Sequence, residues 1–164
     1  MTPSTAPWAR FTADEPELAA TVEARFAAHP HHTLATLRRD GSPRTSGLEV
    51  RFLGGELWLG MMPGSLKALD LRRDPRFALQ ANPGEGTGMG GGDVRIAGRA
   101  VEVEGTGPEE EAQRAAYVEE VEPPQPFHLF RADLSEVVRT AVEGDLLVVR
   151  VWRPGEPLRT LRRA

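Results

Sequence analysis

Apolar positions along the chain follow two successive periods. Between residues 14 and 28, Leu18, Val22 and Phe26 recur on one stripe, Asp14 and Glu17 have the spacing of a capping box, and His29-Pro30 closes the segment. This pattern predicts a helix over about 14–28. From His32 onward the period falls to two. Residues 32–38, 44–53 and 56–61 alternate or carry strand-forming side chains, and Asp40-Gly41-Ser42-Pro43 and Gly54-Gly55 stand between them. Glycine supplies the positive φ that tight turns require, so these three strands are expected to form an antiparallel meander. Leu66, Leu69 and Leu71 then predict a short helix between Pro63-Gly64-Ser65 and Asp74-Pro75, and Phe77, Leu79 and Ala81 predict a fourth strand.

Residues 82–92 hold six glycines and predict a loop. In the strand that leaves it, 94–103, Val94 and Ile96 share one face while Val101 and Val103 share the other, so the apolar phase changes near Gly98. Glycine at a change of phase predicts a bulge or bend of the kind that lets a sheet curl into a closed or partly closed barrel. An acidic helix over 108–121 is broken by Pro123, Pro124 and Pro126, and two or three strands follow, with 127–132, 136–141 and 146–152 as the candidates. The last is apolar on both faces from Leu146 to Val149, so it needs two covers: the barrel interior on one side, a helix or a second subunit on the other. No repeat and no long linker divides the chain, which predicts one domain over 1–164.

Composition narrows the function. The chain has no cysteine, which excludes disulfides, thiolate metal sites and cysteine nucleophiles; any redox chemistry has to come from a cofactor. A net charge of −4 argues against a nucleic-acid partner. No apolar run approaches the ~18 residues of a membrane span, and residues 1–12 lack the pattern of a secretory signal, so no membrane association and a cytoplasmic location are expected. Lys67 is the only lysine beside nineteen arginines, an imbalance of the kind a GC-rich coding sequence produces.

Candidate chemistry is sparse. Gly86-Thr87-Gly88-Met89-Gly90-Gly91 fits a bare GxGxxG, but a strand leaves it where a dinucleotide site needs a helix, so it reads as a hairpin loop or a lid. His31 and His32 point to opposite faces of one strand, no helical histidine pair exists, and no metal site is expected. A haem ligand and a hydrogen-bonded surface group are the two roles open to a histidine here. The segment from Met61 to Ala68 is more informative. Ser65 stands at a helix N-cap, the amides after it form an anion site, and Lys67 lies in the first turn, where an anion would offset its conflict with the helix dipole.

The order of short motifs, from Leu34-Ala-Thr-Leu-Arg-Arg-Asp-Gly-Ser-Pro-Arg44 through Gly64-Ser65-Leu-Lys67-Ala-Leu and Leu71-Arg-Arg-Asp-Pro-Arg76 to Val94-Arg-Ile-Ala-Gly98-Arg-Ala, resembles the pyridoxamine-phosphate-oxidase-like superfamily of flavin-binding split barrels over about residues 30–104. Trp152-Arg-Pro-Gly with Arg159 and Arg162 is a weaker echo of its C-terminal strand and tail. The resemblance implies a mainly β fold: an antiparallel six- to seven-stranded split β-barrel with peripheral helices, the barrel spanning about 31–164. It also implies a homodimer with FMN or a related flavin at the subunit interface.

Carried over by residue, Arg44 would reach the flavin phosphate or ribityl chain. Thr45, Ser46 and Gly47 would run beside the ring edge, Met61 and Met62 would line the ring, and Ser65 and Lys67 would cradle the phosphate. Asp93 stands where the oxidases carry glutamine, and Trp152 and Arg162 match C-terminal contacts. Two departures shape the expectation. Leu66 replaces the arginine that precedes the cradle lysine, and the tyrosine-arginine-serine segment that binds the vitamin phosphate is not recognisable in 114–126. The resemblance therefore implies a flavin- or 5-deazaflavin-dependent oxidoreductase acting by hydride transfer on a small molecule other than a B6 vitamer. A flavin or haem carrier on the same barrel is the alternative.

Overall fold

The computed structural model describes residues 1–164. Two helices open it, α1 (Trp8–Asp14) and α2 (Pro16–Ala27), where the sequence pattern predicts one. Pro16 supplies no amide hydrogen and drives Glu15 out of the helical region, to φ −137° and ψ 69°. Asp14 thus ends α1 and does not cap α2. Its carboxylate accepts from Arg10 Nε at 2.8 Å and from the Trp152 indole at 3.1 Å.

The predicted meander forms with a bend in its middle strand. After β1 (His32–Leu37), the segment 44–53 divides at Glu49 into β2 (Pro43–Leu48), paired with β1, and β3 (Val50–Leu53), paired with β4 (Glu56–Met61). Inward alternation continues unbroken through the bend, since Leu48, Val50 and Phe52 all meet the core. A side-chain period of two cannot register a change of direction between one residue and the next, which is why the sequence shows a single strand here. There follow α3 (Leu66–Arg73), β5 (Arg76–Gln80), β6 (Asp93–Glu102), α4 (Pro108–Val121), β7 (His128–Glu143), β8 (Leu146–Trp152) and β9 (Arg159–Arg163).

All strand pairs are antiparallel, in the order β2-β1-β5-β6-β7-β4-β3, with β8 added on β7 and β9 on β8. The two ends of that seven-strand path, β2 and β3, are joined through Glu49 alone. They can be one residue apart only if the sheet curls round on itself. No ladder joins them, so the barrel stays open along a seam. The sheet has nine strands, against the six to seven that the resemblance implies: 44–53 divides in two, 127–132 and 136–141 join in one, and the tail 159–163 adds a strand.

The strands expected at 127–132 and 136–141 are one, β7, with a bulge between them. Ala97 faces Glu136 and Gly98 faces Leu134, leaving Ser135 as the extra residue. Gly98 does mark the bulge, but from the opposite strand: a Cβ there would overlap the Asp133 carbonyl. The apolar phase does not change within β6, since Val94, Ile96, Gly98 and Ala100 are all buried; Val101 is exposed and Val103 packs beyond the strand end. On its other side β7 pairs with β4 through 128–132 and with β8 through 137–143, which splits the barrel.

The main core fills the curl and is plugged by α1, α2 and α3. A smaller cluster of Trp58, Val103, Tyr117, Phe127 and Leu129 lies on the outer face under α4. Trp152 of β8 points into the main core and Val148, on the same face, is buried, whereas Leu147 of β8, Val142 of β7 and Leu161 of β9 share the opposite, exposed face. The glycine loop is not a lid over the cleft described below. Its carbonyls at Gly90 and Gly91 accept from Arg25 and Arg139, and it lies at the far end of β6. No helix is long and apolar enough to cross a membrane.

Candidate functional site

A tight turn delivers the chain from β4 into α3. Gly64, at φ 68°, occupies the left-handed region that favours glycine, its N–H donates to His128 Nε2 at 3.1 Å, and the Ser65 N–H donates to Met62 O at 3.2 Å. Ser65 is extended, as an N-cap is, yet its hydroxyl makes no capping bond and is buried without a partner. Lys67, in the first turn, donates from Nζ to Gly47 O at 2.6 Å and has no carboxylate beside it; burial holds its pKa below the usual lysine range.

One turn further, buried Asp70 ties α3 to the sheet. It accepts from Thr36 Oγ1 at 2.8 Å, Arg44 Nε at 2.7 Å and Arg73 Nη2 at 3.0 Å. Burial alone would raise its pKa, but the donors from Arg44, Arg73 and Thr36 together outweigh it and hold the carboxyl below its ordinary value. Ser46 lies two residues from Arg44 on the same face of β2, and its hydroxyl is likewise buried and unpartnered.

A cleft of about 660 Å³ leads away from Lys67. The seam residues Gly47 and Glu49 form one wall, Met61 and Met62 another, and the segment 121–127 after α4 a third. Tyr117 completes the lining. Its ring is buried against Phe127, centroids 5.8 Å apart, and its hydroxyl rests on Gly60, where any Cβ would overlap it. Sequence reasoning overlooked Tyr117. The signals were its being the only tyrosine, on a helix otherwise acidic and small, and a glycine in mid-strand at position 60.

Of the residues expected at the site, Arg44, Ser46, Gly47, Met61, Met62, Ser65 and Lys67 gather around the start of α3 and the cleft. Thr45 lies on the opposite, exposed face of β2. Asp93, Trp152 and Arg162 lie elsewhere. Asp93 pairs with Thr140 while Met61 pairs with His128, twelve residues away along β7, or roughly 40 Å of strand path. Trp152 is buried with its indole bound to Asp14, and Arg162 is exposed on β9.

A curled antiparallel sheet, open at a seam, with a second pairing partner taking over halfway along β7, defines a split barrel. The chain belongs to the pyridoxamine 5'-phosphate oxidase family, whose model matches residues 18–140. Solved structures share the fold. A pyridoxamine 5'-phosphate oxidase-related, FMN-binding protein from Nostoc punctiforme superposes with a TM-score of 0.64 at 17% identity, covering 98% of each chain. PhzG from Burkholderia lata, in complex with tetrahydrophenazine-1-carboxylic acid, gives 0.63 at 20% identity over 96% of this chain and 93% of its own. A haem-binding protein from Mycobacterium smegmatis gives 0.52 at 21% identity over 87% of this chain and 57% of its own. No protein of curated function matches the sequence.

Proposed function

We propose that this protein is an oxidoreductase that binds FMN or a 5-deazaflavin coenzyme and exchanges hydride with a small organic molecule, as a homodimer. The observation that carries the reading is the buried, partnerless Ser65 hydroxyl two residues before Lys67, whose ammonium meets only the Gly47 carbonyl; a second partnerless hydroxyl, on Ser46, adjoins Gly47 in β2. Buried polar groups without partners are costly, and the amides at the start of α3 add positive potential. A phosphate monoester would supply the acceptor oxygens that these donors lack. Ser65, Lys67, Ser46 and the free terminal nitrogens of Arg44 would hold it, and the cleft beyond, walled by Gly47, Met61 and Met62, would receive the ring. The flavin supplies the hydride-carrying atom; the chain supplies orientation and a dry wall.

Two features support the dimer reading. Asp93 and Arg162 are too far from Lys67 to serve the same cofactor within one chain, and a two-fold partner brings such ends together. Val142, Leu147 and Leu161 leave the outer face of the β7-β8-β9 extension apolar and uncovered. Trp152 would then act from behind the interface, as packing.

A flavin or haem carrier is the second reading. His31 lines the cleft, and its Nε2 meets only Glu49 Oε1, at 3.3 Å. The absorption spectrum of the purified protein, alone and after titration with FMN, the deazaflavin coenzyme or haemin, separates these readings. Lys67→Ala should weaken phosphorylated-flavin binding by about 1–3 kcal/mol, roughly five- to 150-fold, and leave riboflavin binding unaffected. Equal loss for both ligands would remove the phosphate from Lys67, and no binding of either flavin would sink the oxidoreductase reading.

A further inference from the structure

We infer that His128 is a positioning residue whose uncharged ring holds the anion cradle in shape, so that affinity for a phosphorylated cofactor falls as this ring takes up a proton. The inference rests on the reading that Ser65 and Lys67 bind the cofactor phosphate. His128 opens β7, opposite Met61 at the end of β4, and its side chain is 14% exposed.

Every group facing the ring is identifiable. Glu102 of β6 places Oε1 at 2.9 Å from Nδ1, the Gly64 amide of the β4–α3 turn lies at 3.1 Å from Nε2, Arg72 of α3 approaches Nδ1 at 3.4 Å, and the Phe130 ring is 6.5 Å away. Glu102 is itself clamped by Arg72 through bonds of 2.6 and 2.8 Å, which hold its carboxyl below the usual range. A carboxylate can only accept and a backbone N–H can only donate. The hydrogen therefore sits on Nδ1, and the Nε2 lone pair receives Gly64.

This arrangement fixes α3 at both ends. Glu102 holds Arg72 near its last turn, while His128 holds Gly64 immediately before Ser65 and Lys67. A second proton on the ring must go to Nε2, where it meets the Gly64 N–H donor to donor. The turn then has to withdraw, and the partnerless Ser65 hydroxyl and the Lys67 ammonium move with it. The neutral ring is thus the condition for a formed cradle, and the loss on protonation is about fivefold in affinity, equivalent to one net hydrogen bond.

The test is FMN binding, by quenching of flavin fluorescence, at about pH 8 and about pH 5.5. FMN gains its own second phosphate proton near pH ~6, so some loss occurs in every variant. His128→Gln puts an amide oxygen where Nε2 was and does not titrate; it should bind like the wild type at the higher pH and lose about fivefold less at the lower. His128→Leu should bind weakly at both. The same pH dependence in wild type and His128→Gln, or wild-type affinity in His128→Leu, overturns the inference. If the wild type binds no flavin at pH 8, the cradle reading fails, and exchange of the Gly64 amide by NMR still decides the role of His128. Protection in wild type and His128→Gln, lost in a folded His128→Leu, supports it; equal exchange in all three overturns it.

Discussion

Replacing Asp70 by asparagine removes a charge and keeps the shape. The buried carboxylate holds three donors, from Thr36, Arg44 and Arg73, each at 2.7–3.0 Å. Asparagine still accepts from Thr36, but it turns an amide donor toward one guanidinium and offers no negative charge to the other. Two charge-assisted bonds, worth about 1.5–3 kcal/mol each, are weakened. The Arg44 and Arg73 side chains are 22% and 34% exposed, so both can turn partly to water, and the loss stays below the ~3–5 kcal/mol of stranding a fully buried charge. We expect Asp70→Asn to cost about 2–3 kcal/mol, which for a chain of 164 residues lowers Tm by roughly 4–12 °C. Urea unfolding followed by circular dichroism measures it, and a cycle with Thr36→Val should show non-additivity, because both residues belong to one network. A change below about 0.5 kcal/mol would refute the claim that Asp70 fastens α3 to the sheet.

Gly60→Ala should destabilise by about 1–3 kcal/mol through overlap with the Tyr117 hydroxyl, and part of that should return in the Gly60→Ala/Tyr117→Phe double variant; equal losses in both backgrounds would show that Tyr117 does not rest on Gly60. His32 is buried, accepts the Asn82 N–H at 2.9 Å, and has its pKa lowered from the model-peptide value of 6.5 chiefly by burial. The unfolded chain binds that proton more readily, so stability should decline as pH falls below ~6.5, and His32→Gln should flatten the decline in urea midpoints. An identical decline in the variant assigns it to another group. Leu147→Glu should convert a dimer to a monomer in sedimentation equilibrium without loss of secondary structure; a wild type that is monomeric at tens of micromolar removes the dimer reading.

Where the sequence reading succeeded, a local physical signal was present. The start of α3 was legible because a turn glycine at position 64 and a serine in the N-cap position at 65 are local signals. The alternation of β1 and β5 was legible because each buries one face. What escaped was long-range. Asp70 reads as an ordinary acidic residue in a short helix until Thr36 and Arg44, 34 and 26 positions earlier, are brought against it. Tyr117 lies outside the family motifs, and its hydroxyl finds the cleft only because α4 packs across Gly60. Asp14 was misread because the same residue type caps helices and accepts bonds from distant indoles. The start of α2 at residue 16 and not 14 was foreshadowed by Pro16, whose effect on the residue before it is local.

The single residue that joins β2 to β3 sets the girth of the molecule. Both strands are fixed to their ladders, so the width of the cleft they border is governed by the length of chain at position 49 more than by the side chains around it. Removing Glu49 would exchange the inward and outward rows of β3 and turn Val50 and Phe52 out of the core. Adding one residue would do the same, whereas adding two would keep every row in place and let the seam gape. A change of chain length at position 49 therefore has a parity: the fold accepts it in steps of two residues.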